Sequence, residues 1–154
     1  MDQTYQTVLV GVDGSSQANE AFEKAIEVAR RNNGRVLVVK VIEQQVPSTM
    51  GFAPLGESVL AQEEKDANEL IEECKAYANS VSFEDIEGLV IYGSAKNVLT
   101  VELPEKYGVD LIMVGQSGLN AVERFITGSI ASYVIRQAPC DVLVITPSKE
   151  EPKT

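Results

Sequence analysis

The chain has 154 residues, enough for one domain with a sizeable core, and 44% apolar content argues for a globular fold. Thirteen basic against 23 acidic residues leave a formal charge of −10, which opposes nonspecific binding to nucleic-acid phosphates. There is no histidine, so the usual general base and the usual zinc ligand are both missing. The two cysteines, Cys74 and Cys140, lack metal-type spacing and read as small buried apolar groups. No apolar run approaches a membrane span, and Met1-Asp2-Gln3-Thr4-Tyr5 lacks the basic-then-apolar pattern of a signal peptide. The expected location is therefore the cytoplasm, with no membrane partner.

Thr7 to Val12 is an apolar, β-branched run of strand length that stops at Asp13-Gly14-Ser15-Ser16, a turn and helix-cap signal. Ala18, Ala21, Phe22, Ala25, Ile26 and Ala29 then recur at helical spacing, and Asn33-Gly34 closes that helix. Arg35 to Ile42 is a second strand. Gln44 to Gly56 carries Pro47, Gly51, Pro54 and Gly56 and reads as a loop. A long helix follows, with Leu60, Ala67, Leu70, Ile71, Cys74 and Ala78 on one stripe. The third strand is Gly88 to Tyr92. Gly93-Ser94 opens a helix through Val98, Leu99, Val101 and Glu102, with stop signals at Pro104 and Gly108. Asp110 to Val114 is the fourth strand. Ile130, Val134 and Ile135 mark a further helix, and Asp141 to Thr146 the last strand. Residues 1–147 form the expected domain, and the polar segment 148–154 a tail that frays.

Strict alternation of strands and helices predicts an α/β fold, a doubly wound parallel sheet of five strands with helices on both faces. With the usual order, 3-2-1-4-5, the winding reverses between the first and fourth strands. Such sheets bind ligands beyond the strand carboxyl ends at that point. The turns after those two strands are the ones rich in glycine and small polar residues: Gly11-Val12-Asp13-Gly14-Ser15-Ser16 and Gly115-Gln116-Ser117-Gly118. Nine residues separate Gly118 from Gly128-Ser129, at a helix start. Glycine permits close backbone approach, and a helix start offers unpaired N–H groups to an anion. Tight turns plus a helix cap would use the same residues. GxxxxGK[ST] and GxGxxG are absent, and the third strand ends in Tyr92-Gly93 where a phosphoacceptor domain would need Asp.

Gly115-x-x-Gly118, nine residues, then Gly128-Ser129 resembles the nucleotide-binding signature G-x2-G-x9-G-[ST] of the universal stress protein superfamily, in its ATP-binding branch. The flanks Thr7 to Ser15 and Ala138 to Ile145 are similar to that family too, and the resemblance covers about residues 4 to 147. It implies an adenine nucleotide, ATP or AMP, with Mg²⁺ or Mn²⁺ held mainly by phosphates and water. It places Asp13 beside the ribose or adenine and the backbone of Val41 against adenine. Val12 and Met113 would line the base and sugar pocket. Gly115, Gly118, Gly128, Ser129 and Ile130 would surround the phosphates. Asp13 is equally placed to cap the first helix, and Val41 and Met113 to be plain core. Ser117 and Arg124 are secondary candidates, Arg124 being the sole cation between Gly118 and Gly128.

Phosphoryl transfer needs positioned cations and a group orienting the nucleophile. The turns hold no such set, so the expected activity is a stress-response signalling or binding module with slow or no hydrolysis. The alternatives are a dimeric scaffold that binds no nucleotide and an ATP-using enzyme of a related fold, although the SGGxDS loop of the latter is absent. The last strand, Val142-Leu143-Val144-Ile145, would be an apolar sheet edge, and pairing with a second copy would cover it. A homodimer through that edge is expected.

Overall fold

The computed structural model describes residues 4–49, 51–116 and 128–146. Its main sheet joins β1 (Thr7–Gly11), β2 (Arg35–Ile42), β5 (Ile86–Tyr92), β6 (Leu111–Gly115) and β7 (Asp141–Ile145) in the order β5-β2-β1-β6-β7. All four pairings are parallel. Counting only these strands, the order is 3-2-1-4-5, so the winding reverses between β1 and β6 as expected.

Side chains alternate across the sheet and divide the core in two. Val8, Val10, Val36, Val38, Leu111 and Met113 face one way, against α1 (Ser16–Asn32) and α2 (Glu57–Ser80). Leu9, Leu37, Val39, Ile112 and Val114 face the other, against the helices between β5 and β6 and α5 (Ser129–Gln137). The three inner strands are thus buried on both sides, which is why they read as continuous apolar runs. The outer strands are less so, and polar Glu87 is accommodated in β5, which starts two residues before the expected Gly88.

Three local expectations need correction. The segment 44–56 is not a plain loop: Gln45–Ser48 (β3) and Gly51–Pro54 (β4) form an antiparallel hairpin, paired from Gln45↔Pro54 to Ser48↔Gly51. Its two prolines weaken the strand signal, yet an isolated two-stranded ribbon has edges where a missing N–H costs nothing. Pro104 does not stop the helix before β6. That helix runs as α3 (Ala95–Asn97), a π-helical stretch (Val98–Glu102) and α4 (Leu103–Tyr107), ending at Gly108 with φ 65°. Pro104 falls in the first turn of α4, where the register change leaves its missing N–H without consequence. On α5 the buried residues are Ala131 and Val134, while Ile135 is exposed. Cys74 is buried and Cys140 half-buried, both are free, and burial pushes each thiol up to about 11.

The amino-terminal end of the sheet is tied by Asp110. Its carboxylate accepts from the Gln6 N–H at 2.8 Å and the Thr7 N–H at 3.0 Å, locking the start of β1 to that of β6. Asp110→Ala strands both amides where strand geometry holds them. The expected loss is about 2 kcal/mol, read as a lower urea midpoint at unchanged slope. A midpoint within experimental error of the native protein would show that water replaces the carboxylate.

Candidate functional site

A cleft of about 520 Å³ opens at the carboxyl ends of β1, β2 and β6, at the reversal of winding. That is within the range of small-molecule sites. β1 and the turn after it supply Gly11, Val12, Asp13 and Ser15, and β2 and its exit supply Val39, Lys40, Val41 and Glu43. Val114 and Gly115 come from β6, and Gly128 to Ala131 from the start of α5. Leu55 and Glu63 close the side formed by the hairpin and α2.

Three helix starts meet at this cleft, and two are closed by side chains. Ser15 caps α1, its Oγ accepting from the Ala18 N–H at 3.2 Å, while the Asp13 carboxylate accepts from the Ser15 N–H at 2.9 Å. Glu43 Oε1 accepts from the Ala95 N–H at 3.2 Å at the start of α3. The third start, that of α5, begins at Gly128, with no side-chain cap among the described residues. Its first-turn amides, on Ser129, Ile130 and Ala131, have no intrahelical acceptor by the geometry of a helix end. They carry the positive end of the helix dipole into the cleft.

The glycines divide by purpose. Gly14 has φ 86°, a left-handed conformation that the β1–α1 turn reserves for glycine. Gly115 needs no unusual angle, but a Cβ there would lie 3.1 Å from the Gln17 carbonyl oxygen, so its absence lets the first turn of α1 lie against β6. Gly128 has φ −60°, open to any residue, and its N–H already donates to the Gln116 carbonyl at 2.8 Å. An anion here would therefore meet the amides after Gly128 rather than the amide of Gly128 itself.

Of the residues singled out from sequence, Val12, Asp13, Val41, Gly115, Gly128, Ser129 and Ile130 are brought together around the cleft. Met113 is not. It is fully buried on the opposite face of β6, among the side chains under α1 and α2, and its neighbour Val114 takes the cleft position. Strand alternation turns Met113 into the core under α1 and α2, and the cleft is reached only at the carboxyl end of β6, by Val114 and Gly115. Gly118, Ser117, Arg124 and the nine-residue excursion lie outside the described residues.

Lys40, Glu43, Leu55 and Glu63 line the cleft and were not anticipated. Lys40 and Glu43 flank Val41 at the strand exit. Glu63 had a usable signal: it interrupts the apolar stripe of α2 between Leu60 and Ala67. An acid on an otherwise buried stripe marks where a helix passes the edge of its core.

Comparison with known proteins bears on the fold and the family. The model of the universal stress protein family matches residues 4–146. A Staphylococcus aureus protein assigned to the universal stress proteins is 39% identical over 142 residues, covering 92% of this chain and 84% of its own. Among solved structures, the universal stress protein UspA from Lactobacillus plantarum superposes with a TM-score of 0.79 at 26% identity, over 94% of this chain and 99% of its own. A universal stress protein crystallised in complex with cAMP gives a TM-score of 0.72 at 25% identity, over 95% of this chain and 100% of its own. On the matched span, the shared fold and the identity to the staphylococcal relative, the chain belongs to the universal stress protein family.

Proposed function

We propose that the cleft binds an adenine nucleotide, with ATP as the ligand of first choice, and that the protein acts as a nucleotide-responsive binding module. The observation that carries this reading is the uncapped start of α5 at the reversal point, beside two helix starts that side chains already close. Phosphate oxygens are the natural partners of those amides. The exposed Ser129 hydroxyl adds a donor. That a universal stress protein of similar fold was crystallised in complex with cAMP supports an adenine nucleotide as the class of ligand.

The reading also gives the ligand a direction. β2, β1 and β6 are consecutive, so the cleft runs across two strand spacings, about 10 Å. Phosphates at α5 put the ribose over the end of β1, near Asp13, and the base over the end of β2. Val39, Val41 and Leu55 supply apolar surface there. Among the described residues no group of three acidic, cysteine or histidine side chains could hold a metal, so Mg²⁺ or Mn²⁺ would ride on the phosphates and water. Among the described residues the turns after β1 and β6 bring to the cleft no cation of the kind phosphoryl transfer uses, and the reading is of slow or no hydrolysis; turnover above ~1 s⁻¹ would overturn that part of it.

The test is calorimetric titration of nucleotide-free protein with ATP in magnesium. A micromolar dissociation constant is expected. No heat at several temperatures would favour a scaffold without nucleotide.

The same reading includes a homodimer. β7 pairs only with β6 among the described strands, and Leu143 on it is 42% exposed. A second copy aligned along this edge would cover it. Light scattering at micromolar concentration should return twice the chain mass, and a monomer mass would refute the pairing.

A further inference from the structure

We infer that Glu63 reads the base, accepting a hydrogen bond from the exocyclic amino group of adenine. The inference rests on the adenine-nucleotide reading above and deepens it. Three carboxylates line the cleft: Asp13, Glu43 and Glu63. Two are already engaged by the fold, Asp13 by the Ser15 amide and Glu43 by the Ala95 amide. Glu63 makes no hydrogen bond or ion pair with the described residues, although its neighbour Glu64 bonds the Tyr92 hydroxyl. It is half-buried on the stripe of α2 that continues into the core through Ala67 and Ile71, and it lines the cleft.

Position selects the part of the ligand it meets. α2 packs on β2 and β5, the side of the sheet farthest from α5. With phosphates at α5 and the ribose over β1, a group over β2 faces the outer edge of the base. On adenine that edge carries the 6-amino donor, and an ionised carboxylate is an acceptor only. A half-buried carboxylate left without a donor is costly, so a base that supplies one is favoured over a base that does not.

The experiment is a double-mutant cycle in which the ligand is one of the two partners. ATP and purine riboside 5′-triphosphate, which lacks only the 6-amino group, are titrated into the native protein, Glu63→Ala and Glu63→Gln. The native protein should prefer ATP by at least about tenfold. Glu63→Ala should bring the two ligands within about twofold, and Glu63→Gln, whose amide oxygen still accepts, should keep part of the preference. A preference that persists in Glu63→Ala would overturn the assignment. So would equal tightening or weakening of both ligands, which would mark Glu63 as a general electrostatic influence on the triphosphate. If the native protein bound neither ligand, the adenine-nucleotide reading itself would fall. Binding of both with no preference would leave that reading standing and remove only the role of Glu63.

Discussion

Gly128→Asp is expected to weaken ATP binding about a hundredfold, roughly 2.8 kcal/mol, while leaving the fold as stable as before or slightly more so. Gly128 is the N-cap of α5, with φ −60° and ψ 153°, angles that aspartate adopts freely. Its carboxylate would accept from the first-turn amides that the proposed site offers to phosphate. It would also set a negative charge where the phosphates belong. For the helix the change is favourable by a few tenths of a kcal/mol, since Asp is a good N-cap and complements the dipole. Binding and stability therefore move in opposite directions, which distinguishes a blocked site from a damaged one. Gly128→Asn occupies the same amides without the charge and should fall between. Calorimetry gives the affinity and thermal unfolding the stability. ATP affinity unchanged in Gly128→Asp would mean that the phosphates do not use the start of α5.

Gly34→Ala is expected to cost about 3 kcal/mol, a drop in Tm on the order of 10 °C for a chain of this size. Gly34 follows the left-handed Asn33 at the end of α1 (φ 54°), and its N–H donates to the Ala29 carbonyl at 2.8 Å. There the chain turns directly into β2, beside the segment entering β1. A Cβ on Gly34 would overlap the carbonyl oxygen of Tyr5 and come within 2.9 Å of that of Gln6. Both are backbone atoms, so no rotamer change relieves the overlap. Relief requires separating the starts of β1 and β2, where the Arg35 N–H donates to the Gln6 carbonyl at 2.8 Å. Gly11→Ala is the contrast: its Cβ would meet only Leu99 methyls at 3.5 Å, an ordinary contact. A Tm for Gly34→Ala within 2 °C of the native value would show that the entry segment yields.

Much of the fold could be read from periodicity. The inner strands β1, β2 and β6 are apolar throughout because helices cover both their faces, and the alternation of strand and helix leaves a right-handed, doubly wound sheet as the simple solution. The position of the cleft was legible for the same reason. Gly14 and Gly128-Ser129 stand at turns that this topology brings to one place. The hairpin over 45–54 escaped because prolines erase strand signals that a two-stranded ribbon does not need. Pro104 misled because a π turn shifts the helix register around it.

What the sequence determined by itself was the order of the main-sheet strands, the place where the winding reverses and the small residues gathered there, since these follow from short-range pattern and chain topology. What only the tertiary structure decided was which of those groups remain available. Gly115 is small because α1 passes against it, Met113 faces the core because strand alternation turns it away, and Gly128 already spends its amide on Gln116. Asp13 and Glu43 accept from backbone amides, whereas Glu63 has no such partner and the start of α5 no side-chain cap among the described residues. Availability depends on who stands next to whom across the fold, and no local pattern in the chain encodes it.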